Sequence, residues 1–456
     1  MTRQAVPVSP PTVLTIAGSD SGGGAGIQAD LKTIEACGGF GTSAVTSVTA
    51  QNTTGVESTH VLPAAEVDAQ CEAVLSDFDV AAVKTGMLAT ADVVETVTGR
   101  VRDLDVPAVV DPVMVAASGD RLLARAAESA YEDLVAESTL VTPNVDEAAV
   151  LTDTDPGNEA EAREAGEQLV AMGADAALVK GGHLGGDDVV DVLVTGDSVE
   201  TFRHPRVDAE ATHGSGCTLS SAVATDLAHG EGLTEAVGAG VDLLGRAVRY
   251  NLDVGEGPGA VHHLVETRDM AARDTTVAAV AGVVDRLTDR DLRPLVPEVG
   301  TNVAGATPYA ERPGETAAVE GRITATLSGV RANSGVRVGA STHVATALLA
   351  AREADPALGV AANYRYDDDI ADALAAADCA VVAAERTGEA VDGASASPDD
   401  ARVPVAAVER AVDAADGRPV AVVDAEGPTG ALVYLLAVDA DGLVGTTGSV
   451  LADLDG

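Results

Sequence analysis

Residues 212–218, Thr-His-Gly-Ser-Gly-Cys-Thr, form a turn that could bind an anion. Gly214 and Gly216 allow the backbone to turn tightly and to approach a ligand closely. The apolar run at 219–224 predicts a helix directly after them. The first N–H groups of that helix would lack acceptors and would stand at the positive end of the helix dipole. Such a turn could bind phosphate or stabilise charge during phosphoryl transfer, although an ordinary start of a helix is the alternative.

Three side chains of this turn could take part in the chemistry. Thr212 and Ser215, together with the two glycines, are candidates for phosphate or ATP binding. Cys217 lies in the same electropositive turn, where we expect its thiol to lose its proton more easily than usual.

Residues 18–26, Gly-Ser-Asp-Ser-Gly-Gly-Gly-Ala-Gly, form a second glycine-rich turn. The segment at 13–17 predicts a buried strand before the turn, and the segment at 27–37 predicts a helix after it. This arrangement often binds nucleotides or other ligands. The turn lacks the lysine of a G-x-x-x-x-G-K-[ST] loop and the spacing of a dinucleotide fingerprint. Its ligand therefore stays open, and a flexible loop is the alternative.

Unusual residues follow five predicted strands, at the point where each strand ends. Asp111 could instead cap a helix, and Asn144 could make a turn. Ligands of open parallel sheets bind at the carboxyl ends of the strands, so five such positions together favour a binding site there. The positions are 51–52, 84–87, 111–114, 142–147 and 180–183.

Strand-like and helix-like segments alternate through the first half of the chain. The alternation predicts an α/β fold, with a mostly parallel sheet flanked by helices on both faces. The predicted strands are 13–17, 44–50, 80–84, 108–110, 139–141 and 176–180, and the predicted helices are 27–37, 64–76, 91–101 and 159–172.

The 456-residue chain is strongly acidic, with 72 acidic and 28 basic side chains and a formal net charge of −44. Because the acidic residues are spread along the chain, they favour a solvated surface adapted to a salt-rich cytoplasm over a site for cationic partners. They also disfavour nucleic-acid binding. No apolar run is long enough to span a bilayer, and residues 1–11 lack the pattern of an export signal. We therefore expect a cytoplasmic protein without a membrane partner.

Lysines and cysteines are few. Lys32, Lys84 and Lys180 are the only lysines, which makes each of them a candidate for a specific role. The four cysteines show no C-x-x-C spacing. This pattern indicates free thiols rather than a zinc site or a disulfide framework.

The motifs of the first half closely resemble those of the hydroxymethylpyrimidine/phosphomethylpyrimidine kinases of thiamine synthesis, members of the ribokinase-like superfamily. The resemblance extends over residues 12–265 and implies a ribokinase-like fold, with ATP and Mg²⁺ as cofactors. The matching segments are 17–20, 24–33, 50–53, 84–88, 111–114, 142–144, 180–183, 213–217 and 257–263.

The resemblance implies a binding site for an aminopyrimidine. Gln51 has a carboxamide that can both donate to and accept from the edge of that ring. Asp30, Met87 and Gly18 are expected beside the ring. Cys217 stands where many ribokinase-like enzymes carry a catalytic aspartate, and its role as a base or as part of an anion hole stays open.

The resemblance also implies the groups that bind phosphate and metal. Lys180 is expected to neutralise the nucleotide phosphates and to act in catalysis. Asp111, Asn144 and Glu147 are expected to hold Mg²⁺, a hard cation that prefers oxygen ligands. Catalysis would consist mainly of positioning and charge stabilisation.

After residue 263 the pattern restarts and predicts a second α/β domain. His343, near the start of a predicted helix, could meet an anion, although an isolated histidine is more often packed and hydrogen-bonded. Ser341 is the expected N-cap of that helix. The predicted helices are 270–290, 341–353 and 367–378, the predicted strands are 322–327, 336–339, 358–363, 379–383, 420–423 and 431–437, and 389–401 is predicted to be a surface loop.

Residues 297–303, 320–323 and 339–345 resemble the archaeal-type thiamine-phosphate synthase domain, which is often fused behind this kinase. In that family, an arginine and a histidine at the positions of Arg322 and His343 are tied to synthase activity. Related regulatory domains lack them.

The chain is therefore interpreted as a bifunctional enzyme, with a kinase domain at residues 1–268 and a synthase domain at 275–456. The kinase would phosphorylate 4-amino-5-hydroxymethyl-2-methylpyrimidine and then its monophosphate with Mg-ATP. The synthase would join the resulting diphosphate to hydroxyethylthiazole phosphate, forming thiamine phosphate and pyrophosphate.

Two alternatives stay open. The second domain could only sense thiamine phosphate, which the presence of Arg322 and His343 disfavours. The kinase could instead prefer pyridoxal, which Gln51 and Met87 disfavour. In each case the expected partners are small molecules, and a homo-oligomer is compatible with the sequence.

Overall fold

The computed structural model describes residues 7–114, 127, 129–207, 209, 211–383, 408, 412, 415, 419–425 and 430–454. Two compact units make up the chain, Met1–Glu266 and Thr267–Gly456. Among the described residues, no helix combines the length and the apolar character that crossing a membrane requires. The loop predicted at 389–401 lies outside the described residues.

The first unit is built around a large mixed sheet. Its strands are β1 (Thr12–Ala17), β2 (Phe40–Val45), β3 (Ser47–Asn52), β4 (Gly55–Val61), β5 (Val80–Thr85), β6 (Ala108–Val110), β7 (Leu140–Val141), β8 (Ala176–Val179), β9 (Asp188–Thr195) and β10 (Val199–Pro205). Within the described ranges, eight strands form the sheet, in the order β10-β9-β8-β7-β6-β5-β1-β2. Neighbours from β8 to β2 are parallel, whereas β9 and β10 are antiparallel additions. The prediction of a mostly parallel sheet is confirmed.

Helices cover both faces of this sheet. They are α1 (Gly26–Ala36), α2 (Ala64–Leu75), α3 (Ala91–Arg102), α4 (Ala130–Ala136), α5 (Val145–Leu151), α6 (Glu159–Met172), α7 (Ser215–Ala228) and α8 (Leu233–Arg249). Successive strand residues point to opposite faces, so Val13 and Leu14 of β1 belong to different apolar cores. Val13 shares a core with Val223 of α7, whereas Leu14 shares a core with Val67 of α2 and Val94 of α3.

Two predicted boundaries in this unit are wrong. The strand predicted at 44–50 is divided, because β2 ends at Val45 and β3 pairs with β4 in a separate hairpin. A continuous run of small and β-branched residues does not show where the chain leaves a sheet. In addition, α7 begins at Ser215, so Ser215 and Cys217 belong to the first turn of the helix rather than to a loop before it.

The second unit is also α/β. Its strands are β11 (Val303–Ala306), β12 (Thr316–Val319), β13 (Ile323–Thr326), β14 (Gly329–Ala332), β15 (Val336–Val338), β16 (Val360–Arg365), β17 (Ala380–Ala383), β18 (Val420–Asp424) and β19 (Leu432–Ala437). Its helices are α9 (Val265–Thr288), which begins just before the unit, α10 (His343–Ala354), α11 (Asp368–Ala376) and α12 (Ala440–Leu454). In the described part of the unit, one sheet has the order β15-β12-β11-β16-β19-β18-β17, and β13 and β14 form a hairpin.

This second sheet also separates two apolar cores. One core contains residues of α9, α11 and α12, and the other contains residues of α10. The N-cap of α10 was predicted at Ser341 and lies one residue later, at Thr342, with Ser341 buried before it. Serine and threonine both suit an N-cap, so residue type alone did not separate the two neighbours.

Candidate active site

A cavity of about 710 Å³ lies in the first unit, where residues following several strands meet the start of α7. This volume is typical of a site for a small molecule. All but one of the residues predicted for the kinase site line it. They are Gly18, Gln51, Met87, Asp111, Asn144, Glu147, Lys180, Thr212, Gly214, Ser215, Gly216 and Cys217.

The glycine-rich turn after β1 is held in one shape by Asp20. One carboxylate oxygen of Asp20 accepts the N–H of Gly22 at 2.8 Å, and the other accepts those of Gly24 and Ala25 at 3.0 and 2.8 Å. Burial acts to raise the pKa of Asp20, but its hydrogen bonds with His213 and with the N–H groups of Ala25 and Gly22 outweigh burial and lower the pKa. The turn is thus an ordered part of the cavity wall rather than a loose loop.

Gln51, Met87 and Gly18 all line the cavity. The Gln51 amide nitrogen lies 3.2 Å from Nε2 of His213, and the Met87 sulfur contacts the Ser47 hydroxyl at 4.0 Å. A Cβ at Gly18 would come within 2.6 Å of that hydroxyl. The lining of the cavity therefore combines a polar amide with an apolar thioether, as a flat polar ring requires.

Asp30 does not line the cavity, and the prediction that it contacts the substrate ring is corrected by the structure. Its carboxylate is fully buried and accepts hydrogen bonds from Lys84 at 2.7 Å, Thr15 at 2.6 Å and Ser221 at 2.9 Å. Lys84 lines the cavity in its place. Burial acts to lower the pKa of Lys84, but Asp30, Cys217 and Asp111 raise it, so Lys84 is a fixed positive charge in the cavity wall.

The thiol of Cys217 does not have the low pKa that its turn predicts. Desolvation of the thiol raises its pKa to about 12, and the carboxylates of Asp30 and Asp111 add to this effect. Lys84 acts in the opposite direction but does not compensate. The expectation of easy deprotonation is therefore wrong, because burial and two acidic neighbours raise the pKa of the thiol more than Lys84 and the Gly26 N–H lower it.

The start of α7 is fixed by a close backbone contact. Gly214, the N-cap, has φ +85°, and a Cβ there would overlap the carbonyl oxygen of Gly24. The N–H groups of Gly216 and Cys217 lie in the first turn of α7, where backbone N–H groups have no acceptor within the helix. A Cβ at Gly216 would lie 3.2 Å from both Asp111 and Lys180, so this backbone borders those two side chains.

Lys180 and the acidic residues meet beside α7. The Lys180 ammonium contacts Asp111 at 3.0 Å. Glu147 and Asn144 form a capping box at the start of α5, each side chain accepting the backbone N–H of the other at 2.9 Å. Burial raises the pKa of Glu147 to about 7; Lys180 acts to lower this pKa and Asp111 to raise it.

These residues fit a cation that needs few protein ligands. Asp111 acts to raise the pKa of Glu147, which shows repulsion between the two carboxylates that an added cation would offset. In the described parts of the chain, no group of three His, Cys, Asp or Glu side chains is arranged to hold a metal. Mg²⁺ commonly takes one or two carboxylates and completes its shell with phosphate and water. The backbone N–H of Asn144 donates to the Glu147 carboxylate and so orients it, and the Asn144 amide oxygen accepts the backbone N–H of Glu147.

Arg206, which sequence reasoning missed, holds the loop after β8. Its guanidinium donates to the carbonyl oxygens of Gly182 at 2.7 Å, of Gly186 at 3.0 Å and of Leu184. Gly182 and His183 of this loop line the cavity, as does Arg206 itself. Its only signal in the sequence is its position after a polar strand, which many surface arginines share.

Two other missed residues are Asp20 and His213, and both line the cavity. Their places within the two glycine-rich turns were their signal in the sequence. Lys84 was singled out by the scarcity of lysine but was given no role in the site, and it also lines the cavity. What the sequence did not show is that these two turns contact one another.

In the second unit, Arg322 and His343 come from different elements. Arg322, directly before β13, is exposed and has φ +72°, a conformation uncommon for residues other than glycine. Its guanidinium donates to the carbonyl oxygen of Val299 at 2.6 Å, and its own carbonyl accepts the N–H of Asn333. His343 is partly buried and is the first residue of α10.

Comparison with known protein families gives one match in each unit. Residues 20–262 match the model described as phosphomethylpyrimidine kinase. Residues 279–447 match the model described as thiamine-phosphate synthase ThiN.

Among relatives, the hydroxymethylpyrimidine/phosphomethylpyrimidine kinase of Streptomyces coelicolor is 49% identical over 264 residues, 58% of this chain and 98% of the relative. The thiamine biosynthesis bifunctional protein ThiED of Geobacter sulfurreducens is 44% identical over 58% of this chain and 54% of its own length. Among solved structures, an ADP complex of Bacillus subtilis pyridoxal kinase is similar with a TM-score of 0.52 and 32% identity, over 56% of this chain and 98% of that one.

Proposed function

The chain belongs to the phosphomethylpyrimidine kinase family and carries a ThiN-type thiamine-phosphate synthase domain behind the kinase, and we propose how its residues divide the work. It is a bifunctional enzyme of thiamine biosynthesis. The first unit phosphorylates 4-amino-5-hydroxymethyl-2-methylpyrimidine and its monophosphate with ATP. The second joins the diphosphate to hydroxyethylthiazole phosphate and releases pyrophosphate. We assign the kinase to residues 1–268 and the synthase to residues 275–456.

One observation carries the kinase proposal: a single cavity is lined by an amide, a thioether, a helix start and two lysines. Gln51 pairs with the edge of the aminopyrimidine, and Met87 packs against the ring face. The hydroxymethyl group then points toward Cys217. There the N–H groups of Gly216 and Cys217 stabilise the negative charge on the phosphoryl group during its transfer.

Lys180 and Lys84 supply fixed positive charge along the path of the phosphoryl group. Asp111 and Glu147 would hold Mg²⁺, which supplies charge neutralisation at the phosphates when it is bound. Because the thiol of Cys217 stays protonated at neutral pH, we assign Cys217 to the anion hole rather than to proton abstraction.

For the synthase we propose Arg322 and His343. A guanidinium fork can bind a departing pyrophosphate through two parallel hydrogen bonds. The left-handed backbone of Arg322 supports this role, since strained backbone persists where the surrounding structure imposes it, often at functional sites.

We further propose that the enzyme works in a salt-rich cytoplasm, where counter-ions screen the charge of −44. Unfolding midpoints that do not rise with added KCl would contradict this.

The activity test uses the full chain in concentrated KCl. Supplied with the pyrimidine alcohol, thiazole phosphate and Mg-ATP, it should produce thiamine phosphate. Supplied with the pyrimidine diphosphate and thiazole phosphate, it should do so without ATP. A second domain that only senses thiamine phosphate would bind that product but form none. The similarity to a pyridoxal kinase makes pyridoxal the competing kinase substrate, and a higher kcat/KM for pyridoxal than for the pyrimidine alcohol would reject the kinase assignment.

A further inference from the structure

His213 connects the glycine-rich turn after β1 with the amide of Gln51. Its Nε2 lies 3.1 Å from the Asp20 carboxylate and 3.2 Å from the Gln51 amide nitrogen. Asp20 is fixed by three backbone N–H groups, and a carboxylate can only accept hydrogen bonds. The Nε2 of His213 must therefore carry the hydrogen and donate it to Asp20.

The hydrogen on Nε2 of His213 determines which end of the Gln51 amide, the oxygen or the NH₂ group, can face His213. An Nε2 that carries hydrogen offers no lone pair to an amide NH₂ group. At the other end of the amide, the Gln51 oxygen lies 3.4 Å from the Thr49 hydroxyl, whose single hydrogen is donated to the carbonyl oxygen of Ser19 at 2.8 Å. The Thr49 oxygen is thus an acceptor. A half-turn of the amide, whose two ends have nearly the same size, removes both mismatches. Its NH₂ group then donates to the Thr49 hydroxyl, and its oxygen faces the N–H of His213, whose single hydrogen it shares with Asp20.

We propose that Asp20 and His213 are positioning residues that fix the Gln51 carboxamide with its oxygen toward His213 and its nitrogen toward Thr49. The polarity of this amide then selects a ring edge with a donor opposite the oxygen and an acceptor opposite the nitrogen. A 4-aminopyrimidine has such an edge, in its amino group and the adjacent ring nitrogen. A 4-oxopyrimidine has nearly the same shape but the reverse order, because it offers a carbonyl and a ring N–H.

This inference rests on the proposed kinase function and adds the residues that recognise the 4-amino group of the substrate. With His213 in place, a 4-oxo substrate leaves polar groups unpaired in the cavity. Without it, the amide can turn to suit either edge, so discrimination between the two substrates falls even if binding remains.

The test compares the pyrimidine alcohol with its 4-oxo analogue in the full-length enzyme. The readout is the ratio of the two kcat/KM values, with the KM for ATP as a check on the rest of the site. His213→Leu should reduce the ratio by roughly tenfold or more and leave the KM for ATP unchanged. His213→Gln should retain most of the ratio, since its NH₂ group can donate to both Asp20 and the Gln51 oxygen.

A second comparison separates positioning from general damage. In a Gln51→Leu background, His213→Leu should cause no further loss of discrimination, because the group that it positions is gone. An unchanged ratio in His213→Leu, or equal losses for both substrates, would overturn the inference and leave the kinase function intact. Absence of phosphorylation of the 4-amino alcohol by the wild-type enzyme would instead reject the kinase function, and the inference with it.

Discussion

Around the reacting end of the kinase cavity, side-chain charge depends more on burial than on sequence pattern. Cys217 stands at a helix start, yet desolvation and two carboxylates raise its pKa to about 12. Glu147 has a lysine beside it and still has a pKa raised to about 7, mainly by burial. Both groups are thus more often protonated than their residue types suggest, and this can be tested by substitution.

Replacement of Cys217 distinguishes a neutral hydrogen-bond donor in the anion hole from a thiolate that acts as a general base. Loss of a general base slows a reaction by roughly a hundredfold or more. Cys217→Ser keeps a small neutral donor in the anion hole, so we expect both phosphorylations to slow by less than this. Cys217→Ala removes that donor and should be slower than Cys217→Ser. Steady-state rates for both substrates give the comparison. Serine and alanine variants that are equally inactive would point to a thiolate.

Glu147 should make stability depend on pH in an unusual direction. Its pKa is raised from 4.5 to about 7 on folding, so the folded protein binds the extra proton between these values. The protonated Glu147 therefore contributes stability to the wild-type protein that is lost as pH rises through this window. Glu147→Gln cannot ionise and can still accept the N–H of Asn144.

The variant should be more stable than the wild type at about pH 8, by on the order of 1 kcal/mol, and the advantage should shrink toward about pH 5. Denaturant unfolding of both proteins at the two pH values measures this difference. An advantage that is the same at both would show that the charge of Glu147 is not its cause.

Which member of a buried pair faces a ligand could not be read from the sequence. Asp30 and Lys84 both belong to motifs that resemble the kinase family, but only Lys84 reaches the cavity. The choice depends on Thr15 and Ser221, which bind Asp30 from β1 and α7. Such contacts arise only when distant segments pack together.

At the scale of elements, the first unit depends on how closely α7 approaches the glycine-rich turn. Strands such as β6 and helices such as α6 were predictable, because apolar periodicity and flanking turn residues define them locally. The β3–β4 hairpin and the start of α7 were not, since neither changes the local hydrophobic pattern. The close approach of Gly214 to Gly24 likewise depends on tertiary packing.

Gly214→Ala should therefore damage the kinase far more than an ordinary glycine replacement. The new Cβ would meet the Gly24 carbonyl, and the residue has a left-handed backbone that alanine adopts with strain. We expect near-complete loss of phosphorylation. Gly99→Ala is the matched control, because Gly99 lies within α3 and a Cβ there meets nothing within 4 Å.

Alanine at position 99 should keep the activity and stabilise the protein by roughly 0.5–1 kcal/mol. Activity and unfolding measurements on both variants make the comparison. Normal phosphorylation by Gly214→Ala would show that the contact with Gly24 is not needed.

Arg206 should control nucleotide binding through the loop that it holds. Arg206→Ala removes hydrogen bonds to three carbonyl groups, so the KM for ATP should rise by roughly tenfold, with a smaller change in the KM for the pyrimidine. Arg206→Lys should recover little, because an ammonium lacks the planar fork.

Arg203→Ala is the matched control on the same strand end, where Arg203 pairs with Glu159 on the surface. It should leave both KM values near those of the wild type. Equal changes in the two variants would assign the effect to lost surface charge instead of the loop.

At the scale of the whole molecule, the chain joins two units with separate apolar cores and separate family matches. The sequence predicted both enzymes because each brings its own motifs. It could not locate the strands β11 and β12, which are short and consist of small residues that carry no strong pattern.

Substitution of Arg322 should affect one reaction only. In the full chain, Arg322→Ala should abolish thiamine phosphate formation from the pyrimidine diphosphate, while both phosphorylations continue at wild-type rates. Arg331→Ala is the control, since Arg331 is an exposed arginine on the same hairpin. The two assays are run on the same protein. A parallel loss of kinase activity, or synthase activity that survives in Arg322→Ala, would contradict the assignment.

The distribution of lysine also determines how the chain responds to amine chemistry. Its three lysines all lie in the first unit: Lys84 is buried, Lys32 is exposed and donates to the Gly23 carbonyl, and Lys180 is the one of the two cavity lysines with some exposed surface. An amine-directed crosslinker therefore finds no lysine between residues 181 and 456. Labelling of Lys180, and its protection by a bound nucleotide, would report occupancy of the kinase cavity without an engineered tag, with Lys32 as the internal reference that the nucleotide leaves unprotected.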